Sequence, residues 1–253
     1  MGDTSSASPI FVVGQPRSGS TLLTRILNEA PGLFVINDFY VLQKIDAAGL
    51  WSPLTSNEAA TIAGWIYERI RIRATEERGK TISQSIEMTD AQLADLARLV
   101  GQSWPDGLMW SDVLARVMET AARLSGHERW GYNTPQDHLH LERLFAAFPN
   151  ATAVFLRREP FGLLRSDKHV SGPWPDARRY NPTAIGLAWR AAARSCRSRL
   201  RARARGSGRS HCRAAPLRLP SPSRLAASRP KAWAAPRARP PRSFRRSAAL
   251  RPR

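Results

Sequence analysis

Pro9-Ile-Phe-Val-Val-Gly-Gln-Pro-Arg-Ser-Gly-Ser-Thr-Leu-Leu-Thr-Arg-Ile-Leu-Asn28 is the stretch on which the fold turns. Pro9 to Val13 is a short apolar run ending at a glycine, a length and composition that suit a strand buried in a parallel sheet. Gly14 to Gly19 is rich in turn formers. From Ser20 to Glu29 the apolar residues Leu22, Leu23, Ile26 and Leu27 recur at helical spacing, and Ala30-Pro-Gly32 stops the helix. A strand that runs through a glycine-containing loop into a helix is the context that holds a phosphate. Backbone N–H groups at the helix start point at the anion, and the helix dipole adds partial positive charge. Gly14 and Gly19 permit the tight backbone; Ser20 and Thr21 offer hydroxyl donors. The nucleotide-phosphate loop proper needs Gly-Lys-Ser/Thr, but here Ser20 follows Gly19 and the cation sits earlier, at Arg17.

Strands and helices alternate outward from this loop. Leu33-Phe-Val-Ile36 reads as a second strand, ending at Asn37-Asp38. Residues 55–128 read as a helical insert, with capping-box patterns at Thr55–Glu58 and Thr89–Gln92 and a cap at Ser111 for a helix reaching Leu124. Its apolar stripes, such as Leu93, Leu96, Leu99 and Val100, read as core-facing surface. Thr134-Pro-Gln-Asp137 predicts a helix start, with Thr134 as cap, Pro135 at the first position and Asp137 reaching back. Ala151–Leu156 reads as a strand, and Pro160 onward as a helix to about His169. The expected class is α/β, with a P-loop-like parallel sheet flanked by helices.

The 253 residues carry a formal net charge of +19. The charge is unevenly distributed. All 20 acidic residues lie between Asp3 and Asp176 beside 17 Lys and Arg, a balance of −3, whereas residues 177–253 hold 22 Lys and Arg and no acid. From 195 to 253 the alphabet collapses to mostly Arg, Ala, Pro and Ser, with eight prolines between Pro216 and Pro252. Such a segment has little to bury and is expected to be disordered. It reads as the out-of-frame product of a GC-rich gene, as a neutral tail, or as a basic arm for nucleic acid or anionic membrane. The expected organisation is a flexible 1–8, an α/β domain over 9–194 and a tail over 195–253. Cys196 and Cys212 are too few for a disulfide framework. No apolar stretch is long enough to span a membrane, and the polar start is no secretory signal, so the expected location is the cytoplasm. No His/Cys/Asp cluster has metal-ligand spacing, and no metal is expected.

Pro16-Arg-Ser-Gly-Ser-Thr-Leu-Leu23 resembles the 5′-phosphosulfate loop of the sulfotransferases that use 3′-phosphoadenosine 5′-phosphosulfate. Phe155-Leu-Arg-Arg-Glu-Pro160 is similar to the family's strand ending in Arg-Asp-Pro, with Arg158 as the arginine and Ser166 as the serine eight positions on. Trp130-Gly-Tyr-Asn-Thr-Pro-Gln136 resembles the Lys-Thr-Pro segment of the bacterial and tyrosylprotein-type members, with Asn133 in place of the usual lysine. The resemblance runs over roughly residues 9–194. Beyond Arg194 the family's next strand, its Tyr/Phe-Glu-Asp-Leu segment and the helices closing the adenosine pocket are not found, which suggests truncation or a shifted frame.

The resemblance implies sulfuryl transfer from 3′-phosphoadenosine 5′-phosphosulfate to a hydroxyl or amine of a small-molecule, carbohydrate or lipid acceptor. Arg17, Ser18, Gly19, Ser20 and Thr21 would hold the 5′-phosphosulfate, and Arg158 with Ser166 the 3′-phosphate. As in phosphoryl transfer, the protein would chiefly position the reactants and stabilise charge. An acceptor hydroxyl must lose a proton, which calls for a base. Asp38 at the end of the second strand is the first candidate, at a distance from the loop like that of the family's acidic base; His138 and His140 are the alternatives. Two other readings compete. In a P-loop kinase or NTPase, Asp38 would hold Mg²⁺. In a nucleic-acid-binding protein the basic tail would carry function, although its charge predicts binding without specificity. Oligomeric state is not legible.

Overall fold

The five residues Ile10–Gly14 form β1, buried along its whole length. In the computed structural model, residues 8–75, 86–170, 182–183 and 185–194 are described. Every described residue belongs to one unit, Met1–Ser210. Residues 1–7 of the expected flexible start 1–8, the two cysteines and the basic tail (195–253) lie outside the described residues.

The elements follow in the order α1 (Ser20–Asn28), β2 (Leu33–Ile36), α2 (Val41–Ala48), α3 (Ser56–Thr75), α4 (Asp90–Val100), α5 (Trp110–Leu124), β3 (Arg129–Asn133), a 3-10 helix (Pro135–Leu139), α6 (Leu141–Ala147), β4 (Thr152–Leu156) and α7 (Pro160–Val170). The four strands make one parallel sheet in the order β2-β3-β1-β4. All four carboxyl ends therefore meet along one edge, where ligands of open α/β sheets bind. An α/β sheet flanked by helices, as read from the sequence, is what the chain forms.

Strand alternation sorts side chains to two faces. Phe11 and Val13, Phe34 and Ile36, and Trp130 and Tyr132 enter the larger core, covered by α2 to α6. Phe11 is its centre, with Tyr132, Phe148 and Trp130 rings at 5.0, 5.9 and 6.0 Å. Ile10, Val12, Leu33 and Val35 form a small cluster on the opposite face, under Leu23 and Leu27 of α1. The stripe Ala59, Ile62, Ala63, Ile66, Ile70 and Ala74 turns one face of α3 inward.

The capping boxes at Thr55–Glu58 and Thr89–Gln92 both form. Three local expectations change. Arg129–Asn133, read only as part of a motif, is a strand seated between β2 and β1. Its Gly131 is needed because a Cβ there would collide with the Ile10 carbonyl of β1. Helix α5 starts at Trp110, before Ser111, and it is the Asp112 carboxylate that accepts the Met109 N–H, at 2.8 Å. Thr134–Asp137 opens a 3-10 helix rather than an α-helix, and Thr134 makes no side-chain cap. Its hydroxyl accepts from the Tyr40 N–H at 3.1 Å instead, a long-range bond that outcompetes the local one.

Candidate active site

The loop between β1 and α1 is held by its own turn. The Ser18 N–H and hydroxyl both donate to the Gln15 carbonyl, at 3.2 and 2.7 Å. Gly19 caps α1 at φ 98, a left-handed backbone that glycine adopts without strain. Gly14 answers a second need, since a Cβ there would strike the Leu156 carbonyl of β4. The Leu23 N–H bonds back to the Gly19 carbonyl at 3.1 Å, so the N–H groups before it have no intrahelical acceptor. The first turn of α1 carries no acid and no side-chain cap, which leaves its positive end to a ligand. Ser20 is buried and Thr21 half-buried.

At the β4 end, residues far apart in sequence converge. Arg17, exposed and in left-handed backbone at φ 69, donates from Nε to Ser166 Oγ on α7 at 3.3 Å. Arg158 Nη1 donates to the Arg17 carbonyl at 3.2 Å. Ser166 Oγ accepts in its bond with Arg17, so its own proton is left to donate. Neither guanidinium pairs with a carboxylate among the described residues. Two exposed guanidinium groups and a hydroxyl are thus linked through Arg17, and arginine's planar fork is a shape suited to phosphate oxygens. Glu159 takes no part. Its carboxylate accepts the Phe161 N–H at 2.8 Å and the Gly162 N–H, capping α7. The Trp189 indole donates to the Arg158 carbonyl at 2.9 Å and lies 4.8 Å from the Arg157 guanidinium, which ties the helical residues 185–194 to the end of β4.

At the β2–β3 end the polar groups are buried. Asn37 and Asn133 are wholly inaccessible, and Asn133 Nδ2 donates to Asn37 Oδ1 at 2.5 Å. Asn37 Nδ2 reaches Asp38 Oδ2 at 3.2 Å and, at the outer limit of bonding, Thr21 Oγ1 at 3.5 Å. The neutral Asn133 thus links β3 through Asn37 to the loop and to Asp38. Asp38 and Tyr40 are left-handed, at φ 51 and 52, on either side of the buried Phe39. Phe39 stacks on Tyr132 at 4.6 Å, and its N–H bonds the Asn133 carbonyl at 3.0 Å. Asp38 is paired with Arg73 of α3, Nη2 to Oδ2 at 3.1 Å, and Arg69 one turn earlier donates to its carbonyl. Arg69 also lies 5.8 Å from the Tyr40 ring.

His138 is buried, and Nδ1 faces the Pro135 carbonyl at 3.0 Å, its one hydrogen bond among the described residues. His140 is half-buried, 5.5 Å from the Trp51 ring. The His138 ring bond goes to Pro135, not to Asp38 or Arg17, among the described residues. Asp137 does not cap a helix. It is buried, takes a bond from the Gln43 amide, and has the Tyr132 hydroxyl beside it, short of bonding geometry. Burial pushes its carboxyl up to about 7, against the opposing pull of Gln43 and Tyr132. Burial and this neighbour together raise the Tyr132 phenol as well.

Sequence reasoning missed Arg69, Arg73, Gln43 and Asn37. The only local signal for the arginines was their spacing of four on α3, beside the apolar stripe. No cluster of His, Cys, Asp or Glu among the described residues could hold a metal ion, and no described helix is long and apolar enough to cross a membrane.

Residues 9–212 match the family model described as Sulfotransferase family. The match runs past the change in composition at 195. A crystal structure of sulfotransferase STF9 from Mycobacterium avium is similar at a TM-score of 0.41 and 16% identity, over 80% of this chain and 57% of that one. This chain thus spans little more than half of that protein. No curated protein matches the sequence.

Proposed function

The chain belongs to the sulfotransferase family, and from that premise we propose that it transfers a sulfuryl group from 3′-phosphoadenosine 5′-phosphosulfate to the hydroxyl or amine of a small acceptor. The observation that carries this reading is the meeting of Arg17 with Ser166 and of Arg158 with the Arg17 carbonyl, at 3.3 and 3.2 Å. Two anion-binding segments 141 residues apart share one edge of the sheet. The donor set suits a nucleotide with two separate phosphate groups. The α1 amide groups and the Arg17, Ser20 and Thr21 side chains serve the 5′ end; Arg158 and Ser166 serve the 3′-phosphate.

Asp38 is the group that takes the acceptor's proton as the sulfur–oxygen bond to the acceptor forms and that to the 5′-phosphate breaks. The proton ends on the carboxylate, and the leaving phosphate oxygen keeps the bond's electron pair beside Arg17 and the helix start. An ion pair with Arg73 on Oδ2 also argues against Asp38 as a Mg²⁺ ligand, the role a kinase would need.

The test is a thermal melt of the full chain with and without 3′,5′-diphosphoadenosine. Ligand at a hundred times its dissociation constant adds about 2.7 kcal/mol, a readily measured rise in Tm. A cooperative melt that does not shift, or one that shifts more with ATP and Mg²⁺, overturns the reading.

A further inference from the structure

We propose that Arg73 of α3 is a positioning residue for Asp38, holding one carboxylate oxygen so that the other is presented to the acceptor. The inference rests on the reading of Asp38 as the base. Both side-chain donors that reach Asp38 go to the same atom, Oδ2: Arg73 Nη2 at 3.1 Å and Asn37 Nδ2 at 3.2 Å. No described residue bonds Oδ1. A carboxylate fixed through one oxygen cannot spin about its Cβ–Cγ bond, and its free oxygen keeps one direction. The main chain is fixed as well. Arg69, four residues before Arg73 and on the same side of α3, donates to the Asp38 carbonyl.

The surroundings fit a held group better than an incidental ion pair. Asp38 sits in left-handed backbone at φ 51, a strained conformation that persists only where neighbours enforce it. Its side chain is 30% exposed and that of Arg73 14%, so the pair lies at the mouth of the site and is partly shielded from water. An exposed ion pair is worth little, and this geometry's consequence is direction rather than stability. Arg17, Ser166 and Arg158 are held by bonds to one another, so loss of Arg73 should affect the donor site little.

The experiment measures release of 3′,5′-diphosphoadenosine from the phosphosulfate by the full chain, with 2-naphthol as the probe acceptor. Arg73→Ala should lower kcat about a hundredfold, the scale of a misplaced reacting group, while KM for the phosphosulfate stays unchanged. Arg73→Lys, which keeps the charge and a donor, should recover part of the loss. In an Asp38→Asn background Arg73→Ala should change nothing further, since there is no base left to orient. If Arg73→Ala fails to melt cooperatively, the Lys variant carries the test: full loss of kcat in folded Arg73→Lys, or wild-type kcat in folded Arg73→Ala, overturns the positioning role. A rise in KM with kcat unchanged also overturns it. Unchanged turnover in Asp38→Asn, or no release by the wild-type chain, overturns the underlying reading of the site, a result distinct from the other three.

Discussion

At the β2–β3 end of the sheet, Asn37 and Asn133 are sealed from solvent and bonded to each other, whereas at the β4 end Arg17 and Arg158 stand in solvent with no carboxylate paired to them among the described residues. The first half is organised by the chain itself. Asn133 bonds Asn37, although its own Oδ1 has no partner among the described residues, and α3 braces Asp38 from behind. The second half brings one guanidinium to the Ser166 hydroxyl and a second to the Arg17 carbonyl, and pairs neither with a carboxylate among the described residues. Burial explains part of the difference. The last four residues of β3 and all of β2 are buried, while β4 is exposed at its first residue and partly buried along the rest. A polar side chain buried beyond a strand end, as Asn37 and Asn133 are, depends on partners in the protein, because water cannot supply them. One that stands in solvent, as Arg17 and Arg158 do, can wait for an anion. In one site, then, stability and affinity should be separable by mutation.

The largest expected effect falls on the exposed half. Arg158→Ala removes a charge-assisted phosphate contact and should weaken 3′,5′-diphosphoadenosine binding by about 1.5–3 kcal/mol, with Tm of the free protein unmoved. Calorimetric titration checks the first and a melt the second; a large fall in Tm would erase the contrast. Asn133→Ala should act the other way. It leaves the buried Asn37 Oδ1 without its donor and should cost about 1–3 kcal/mol of stability. Chemical denaturation reads that loss, and a stability change near zero would mean the buried half is not held as described.

Asp137 sharpens the comparison through pH. Its carboxyl is raised from 3.8 to about 7 in the folded chain, so between those values the folded state keeps a proton that the unfolded state has lost. Stability from this group is therefore full at low pH and falls as pH rises toward 7, by at most about 1.4 kcal/mol per pH unit. Asp137→Asn should flatten that slope; an unchanged slope assigns it to other groups. The smallest effect is Ser166→Ala, a single hydroxyl donor worth about 0.5–1.5 kcal/mol of diphosphoadenosine affinity, read in the same titration as Arg158→Ala. A loss larger than that of Arg158→Ala would invert the roles of the two residues.

How much was legible follows the range over which each feature is encoded. Val13-Gly14 into Ser20-Thr21 reads as strand, loop and helix because hydrophobic period, glycine and helix stop are neighbours in sequence. The same holds for Leu33–Ile36, for Pro160 onward and for both capping boxes. Arg158 and Ser166 were legible as a pair only through the resemblance of Phe155–Pro160 to the family's strand ending and the serine eight positions on. Arg129-Trp-Gly-Tyr-Asn133 was harder. Its alternation of polar or small residues with aromatics is a strand pattern, but only five residues long, and the need for Gly131 appears only where β1 presses against it.

The sequence by itself determined the parallel α/β class and the strand, loop and helix from β1 to α1, since each is written in a local pattern. Only the tertiary structure decided that β3 lies between β1 and β2, that Asp137 is buried rather than capping, and that Arg69 and Arg73 grip Asp38. An amphipathic pattern fixes which face of α3 turns inward. It does not fix what the residues beside that face will meet, because that depends on how a helix some thirty residues away in sequence packs across the end of the sheet.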